Sequence, residues 1–278
     1  MAFAAGLAVG CSLACATTSG SHRAAQDRER AEKHYAVALA SFHNGMFEDA
    51  KLQLNRALAA DLEHADSHYL LGVIRLQAGK SILDAVERDV CLRDEAADRQ
   101  RIRADDLHRE AHESFAAAAD HYPEQSAGRG RAYNSMAVVS LHFQRLERAQ
   151  SEAKRALAVE FYSERYSAYA NLGWAYYVGG DLVGAVTELR QSVMVNPDFC
   201  VGRYRLARAY LDYGMPEAAL EEIQRVVQDA RCPIQDAYRV QGVASQRTGL
   251  DAEAKAAFES CMQAAPRSCL ASTCRDLL

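Results

Sequence analysis

The residues best placed to do chemistry in this chain are its nine histidines and eight cysteines, and their spacing argues against both metal and catalytic use. His108-Arg109-Glu110-Ala111-His112 puts two histidines four residues apart on one helix face, the arrangement by which a metalloprotease helix holds zinc. Its glutamate stands third in the run, where that chemistry needs a general base in second place. The pair therefore reads as satisfied or exposed helical histidines, and so does the pair His64 and His68. No Cys-x-x-Cys pair occurs, and neither a Gly-x-Ser-x-Gly elbow nor a Walker-type phosphate loop is present. Gly128-Arg129-Gly130-Arg131 follows no strand and reads as a flexible link. A net charge of −5 gives no basic footprint for nucleic acid. The expectation is a protein that is not an enzyme, with no catalytic residue, metal or cofactor.

What must position these residues is a motif that returns about every 34 residues. Its clearest copy runs Tyr169, Leu172, Gly173, Tyr176, Gly180, Ala185, Leu189 and Pro197. With Gly173 as the eighth position of a unit 166–199, the frame recurs at 31–64, 130–163, 200–233 and 235–268. A further copy, 65–125, carries an insertion of roughly 27 residues relative to that period. Small residues at positions eight, twenty and twenty-seven let helices approach, and large ones at four, seven and twenty-four fill the gaps. Glycine at fifteen closes the turn between helices, and proline near thirty-two ends the second helix. The pattern resembles the tetratricopeptide (TPR) repeat. That resemblance implies an all-α, right-handed superhelical solenoid of about six helix pairs, whose concave surface binds other polypeptides. Residues 269–278 are left as a C-terminal cap.

Residues 1–15 contain no charge, and Ala8-Val9-Gly10-Cys11 resembles the site at which bacterial lipoprotein precursors are cleaved and acylated on cysteine. Ser12 in place of aspartate favours an outer-membrane destination. No Lys or Arg precedes the short apolar run, as a start codon placed too far downstream would explain. The run is too short to cross a bilayer, so membrane contact is expected through a lipid anchor on Cys11 alone. The other reading is an ordinary signal peptide ending near Cys15 or Ala16. Residues 16–30 read as a polar tether.

Eight cysteines suit an exported protein. Cys200 and Cys232 sit at matching ends of neighbouring first helices, whose axes pack about 8–10 Å apart, so a disulfide between them is expected. Cys269 and Cys274 flank the last helix and could pair with each other or with Cys261, while Cys91 lies in the insertion. That insertion, about 80–109, is dense in charges of both signs and reads as two helices running beyond the bundle with solvated faces, or as an arm for a second partner.

The frame positions that face the concave side of a TPR unit supply Tyr35, Leu39 and Phe42, then Tyr69, Val73 and Leu76. Asn134, Val138 and Leu141 follow, then Trp174 and Tyr177, then Tyr204, Arg208 and Leu211. Most are apolar or aromatic, so the expected ligand is an amphipathic helix, with Trp174 as anchor. The lysine-and-asparagine set by which some TPR proteins clamp a C-terminal carboxylate is absent.

Six TPR units behind a lipoprotein-like cysteine resemble the PilF/PilW-type pilotins of type IV pilus biogenesis, which include the myxobacterial lipoprotein Tgl. The resemblance covers residues 11–268, with the insertion as the main departure. It implies an outer-membrane lipoprotein on the periplasmic face that binds secretin subunits and helps them reach the membrane and multimerise. A disulfide between neighbouring repeats, as for Cys200–Cys232, also occurs in that family. Two alternatives remain: an envelope adaptor for another assembly or export complex, and a cytoplasmic TPR scaffold.

Overall fold

The computed structural model of the chain describes residues 12–278, and Cys11 lies outside them. Among the described residues there is no strand. Six antiparallel helix pairs follow one another along an axis. They are α1 (Ser12–His43) with α2 (Phe47–Ala60), α3 (Ala65–Leu83) with α4 (Glu95–His121), and α5 (Ala127–His142) with α6 (Leu146–Ala158). The series continues with α7 (Arg165–Val178) and α8 (Leu182–Val195), α9 (Cys200–Tyr213) and α10 (Pro216–Gln228), and α11 (Gln235–Arg247) and α12 (Asp251–Ala264). A short helix, α13 (Cys269–Arg275), caps the end. Each helix packs on the next, and α1, α3, α5, α7, α9 and α11 also pack on one another in turn. The odd-numbered helices therefore line one continuous inner face.

The turns explain the period. Gly45, Gly180, Gly214 and Gly249 hold φ between +74° and +88°, a left-handed conformation that costs glycine nothing. The amide after each glycine bonds back five residues, as from Met46 to Ser41 at 2.9 Å and from Asp181 to Tyr176 at 3.0 Å, which ends the helix in a Schellman motif. Gln144 takes the same place in the third pair at φ +53°. In the second pair no such turn forms. Gly79 stays inside α3 beneath the His108 ring, and the helix runs on to Leu83.

Small residues carry the packing between helices. Ala38, Ala50 and Ala57 are wholly buried in the first pair around Leu54, and Ala185 and Ser192 around Leu189 in the fourth. At a close approach of this kind each buried methylene contributes about 0.8 kcal/mol, and an added one has nowhere to go.

Two expectations need correction and one takes a definite form. Residues 16–30, read as a polar tether, belong to α1, which runs helical from Ser12. Gly128–Arg131 is not a flexible link but the first turn of α5, capped by the Ser126 hydroxyl accepting from the Arg129 amide. Its glycines are there because Tyr122 and Tyr162 pack on them, and a Cβ on Gly130 would stand 2.6 Å from Tyr162 Cβ. The insertion does lengthen α3 and α4, but its tip is not free. After a single π-helical turn (Asp84–Asp89), Cys91 bonds covalently to Cys269 and its amide donates to the Arg267 carbonyl at 2.8 Å. The second helix pair is thus fastened to the far end of the solenoid.

Candidate protein-binding surface

The inner face changes character along its length. At the N-terminal end Tyr35, Leu39 and Phe42 on α1 lean on the core of Ala38, Leu54, Leu70 and Ile74. On α3, Tyr69, Val73 and Leu76 pack half-buried against the cluster built on Phe115, Tyr133 and Met136. Val138 on α5 is exposed and Leu141 half-buried. These side chains offer apolar area while their inner halves hold the repeats together. Two expected members of the groove are not on its surface. Leu211 is buried with Ala207, Ala219 and Ile223, and Asn134 is buried in a hydrogen-bonded ladder.

That ladder crosses three inner helices. Asn134 donates to Ser167 at 3.0 Å and accepts from Asn171 at 2.8 Å, and Arg205 donates to the Asn171 side chain at 2.8 Å and to the Ala170 carbonyl at 3.1 Å. Arg205 holds the frame's sixth position, which Asn171 holds one pair earlier. A residue type departing from its repeat equivalent was the sequence signal for it. Burial pulls the Arg205 guanidinium down to about 10.

Trp174 stacks on Tyr177 with ring centroids 4.6 Å apart, and the guanidinium groups of Arg205 and Arg208 lie 5.2 and 5.0 Å from its ring. Arg208 also donates to the Tyr204 hydroxyl at 3.1 Å and to that of Tyr177 at 3.3 Å. Those phenols donate in turn to Asp236 and Asp212 at 2.6 and 2.5 Å. Burial, then the neighbouring carboxylates, pushes both phenols above their ordinary range. The C-terminal half of the face is therefore an aromatic and guanidinium lattice already hydrogen-bonded to itself, within a groove expected to be mostly apolar or aromatic.

Between the insertion and the last pair lies a cleft of about 470 Å³, lined on one side by Lys80, Leu83 and Glu87 and on the other by Ile234, Asp236 and Leu270. Asp236 belongs to this cleft and to the lattice around Arg208. The insertion therefore bounds the inner face at its C-terminal end.

The cysteines pair as Cys91–Cys269, Cys200–Cys232 and Cys261–Cys274. Cys269 does not pair with Cys274, because the insertion tip claims it and Cys274 turns inward to Cys261. Cys200, Cys232 and Asp229 lie close enough to hold a metal ion, but the two sulfurs are bonded to each other and offer no thiolate. The histidine pairs are structural. His64 caps α3 by accepting from the Ser67 amide, and His68 bonds the Leu62 carbonyl. His108 bonds the Ala104 carbonyl beneath a stacked His142 ring, and His112 bonds the buried Glu152. Each of these four rings is hydrogen-bonded to a protein group.

The fold has close structural counterparts. The crystal structure of PilW, described as a widely conserved type IV pilus biogenesis factor, superposes with a TM-score of 0.67 over 87% of this chain and 97% of its own, at 17% identity. PilF of Pseudomonas aeruginosa gives 0.63 over 91% and 100%, at 16% identity. A chain of the APC/C hetero-tetramer Cut9–Hcn1 gives 0.68 over 90% of this chain and 42% of its own, at 11% identity. The chain is a tetratricopeptide-repeat solenoid. No protein-family profile and no curated protein matches its sequence. Among the described residues, no helix is long and apolar enough to cross a membrane.

Proposed function

We propose that this TPR solenoid is an assembly factor of the type IV pilus. In this reading it is a pilotin that binds secretin subunits on its inner face and promotes their delivery to the outer membrane and their multimerisation. The observation that carries the reading is the span of the likeness to PilW and PilF, which takes in nearly the whole of both chains and not a few shared repeats. PilW and PilF are matched over 97% and 100% of their own lengths, whereas the Cut9–Hcn1 chain of similar TM-score is matched over 42% of its own.

Two further observations support it. Three disulfides suit a protein that matures in an oxidising compartment. A cysteine preceded by Ala8-Val9-Gly10 suits a lipid anchor at Cys11. In this reading the part of α1 that precedes the repeats, 12–30, would hold the solenoid about 28 Å from that anchor, at 1.5 Å per residue. Protein partners follow from the fold; no feature of the inner face calls for nucleic acid or a cofactor.

The double substitution Trp174→Ala with Leu141→Ala removes the central aromatic and the apolar side chain on the neighbouring pair. Capture of secretin subunits by the purified protein should be lost while its helical circular dichroism is kept. Unchanged capture would reject the inner face as the site. Cys11→Ser should leave the protein unanchored or unprocessed, and normal membrane retention would remove the lipid anchor.

A further inference from the structure

We propose that the Cys91–Cys269 bond is a thiol–disulfide exchange site. It takes electrons from a dithiol oxidoreductase of the Cys-x-x-Cys type, and its reduction unfastens the insertion from the end of the solenoid. This goes beyond the assembly role and does not depend on which partner the inner face holds.

Exchange requires a thiolate to reach a sulfur, and the three disulfides differ in what they allow. Cys261 and Cys274 are wholly buried where α12 meets α13, so the folded chain shields their bond. Cys91 and Cys269 are half-buried, and Cys269 borders two cavities. One is the cleft of about 470 Å³, where Asp84, Glu87 and Asp236 outnumber Lys80 and disfavour an incoming thiolate. The other, of about 380 Å³, is lined by Arg93 and Arg101 against Glu87 and Asp98, so its charges balance and it is the better approach.

Cys200 and Cys232 are also half-buried, and an Asp229 carboxylate oxygen lies within 4.8 Å of both sulfurs, with Arg231 paired to that carboxylate. What separates this bond from Cys91–Cys269 is the consequence of breaking it. Cys232 packs on the core of Ala207, Ile223 and Val240, so after reduction its thiol stays beside that of Cys200 and the bond closes again at high effective concentration. The insertion tip is tied mainly to itself, with Arg101 donating to the Leu92 carbonyl at 2.7 Å and to Asp98 at 2.8 Å. Towards the cap it has the packing of its π-helical turn on α13. Among the described residues it adds one backbone hydrogen bond, from Cys91 to Arg267. So thin a contact lets the two thiols part, and the reduced state persists.

The step balances as an exchange. A thiolate of the oxidoreductase attacks Cys269 Sγ, a mixed disulfide forms, and Cys91 leaves as a thiolate that takes up a proton. The second thiol of the oxidoreductase, as thiolate, attacks its own half of the mixed disulfide and releases Cys269. The protein gains two electrons and two protons, and the oxidoreductase is left as a disulfide. The tip then moves off the last pair, which widens the cleft between Leu83 and Ile234 and opens the inner face at its C-terminal end.

Reduced thioredoxin is the probe. Free thiols of the full-length oxidised protein are blocked with N-ethylmaleimide, the probe is added without denaturant, and new thiols are trapped with iodoacetamide and assigned by peptide mass spectrometry. Cys91 and Cys269 should be alkylated at least about tenfold faster than Cys200, Cys232, Cys261 and Cys274. A thioredoxin whose second active-site cysteine is replaced by serine should be caught on Cys269, and not by the variant Cys91→Ser with Cys269→Ser. Hydrogen–deuterium exchange should rise at 84–94 and 269–275 on reduction and stay unchanged across 127–195. Earlier alkylation of Cys200 and Cys232, resistance of all three bonds, or their joint reduction with loss of circular dichroism would overturn the exchange site. Selective reduction with unchanged hydrogen–deuterium exchange at 84–94 would overturn the unfastening. Secretin capture is read separately, so neither failure touches the proposed function.

Discussion

Cutting the Cys91–Cys269 bond tests whether the insertion fastens the two ends of the solenoid. The perturbation is the double substitution Cys91→Ser with Cys269→Ser, which removes one bond and very little volume. The two cysteines are 178 residues apart in sequence, and the chain-entropy relation gives about 5 kcal/mol for closing a loop of that length. The Cys200–Cys232 bond lies inside this loop and shortens it by 32 residues, which the logarithm barely registers. A TPR solenoid makes the consequence unusual. Each pair otherwise touches only its neighbours, so stability is nearly a sum of local terms and the ends do not sense each other. Without the bond, the tip is left with the Cys91–Arg267 backbone hydrogen bond and the sides of an open cleft. Urea unfolding should be followed by Trp174 fluorescence, which reports the middle pairs, and by far-ultraviolet circular dichroism, which reports all of them. In the native protein the two transitions should coincide. In the variant the free energy of unfolding should fall by up to about 5 kcal/mol, and the circular dichroism should begin to drop at lower urea as α11 to α13 open first. Coincident transitions within about 1 kcal/mol of the native protein would refute the argument.

Gly130→Ala should destabilise the protein by about 1–3 kcal/mol, because the new methyl meets Tyr162 Cβ at 2.6 Å on a ring with no room to turn; a melting temperature unchanged within error would show that the first turn of α5 gives way. Acid should weaken the fold in two stages. Burial holds the His108 imidazole below its ordinary pKa, so the fold favours the neutral ring. Its contribution is complete above about pH 6.5 and is lost as pH falls from there through the lowered folded value. Burial raises the Glu152 carboxyl, but hydrogen bonds from His112, Ser140 and Arg148 outweigh it and leave the pKa lowered. That contribution persists above the ordinary carboxylate range and disappears at lower pH, as the folded value is crossed. Thermal melts from pH 8 down to about pH 2 should show both losses, the second only below the ordinary carboxylate range, and His108→Gln should remove the first alone; a flat profile between pH 7 and pH 5 would contradict the assignment.

The solenoid was legible in the sequence because its turn chemistry repeats. Gly45, Gly180, Gly214 and Gly249 each stand fifteenth in their unit, and all four adopt the left-handed turn that the position requires. Gly79 shows the limit of that logic. It holds the same place, yet the insertion after it lets α3 continue, and the glycine serves a close approach to His108 instead. The Cys200–Cys232 pairing could be read because both residues keep one frame. The Cys91–Cys269 pairing could not, since no period relates an insertion to a C-terminal cap, and only the trajectory of the lengthened helices brings them together.

The inner face was legible by position more than by state. The frame picked out Trp174, Tyr177, Tyr204 and Arg208 as neighbours on one surface, but hydrogen bonds to Asp212 and Asp236 depend on side-chain reach across pairs and leave no mark on a period. Leu211 and Asn134 failed for a related reason. A frame position that faces a groove on average turns inward when the next inner helix packs over it, as α11 does on α9 and α7 on α5. The Gly128–Arg131 run misled because glycine spacing that suits a loop also suits two tyrosines packed against a helix.

The most direct test of the account is the fate of the pilus secretin in cells from which this gene has been deleted, measured by immunoblot of membranes for its stable multimer. The account predicts that the multimer is lost while the secretin monomer persists, and that it returns with the native gene but not with Trp174→Ala and Leu141→Ala together. Multimers at native levels in the deletion strain would contradict it and leave a TPR adaptor whose client lies outside the pilus.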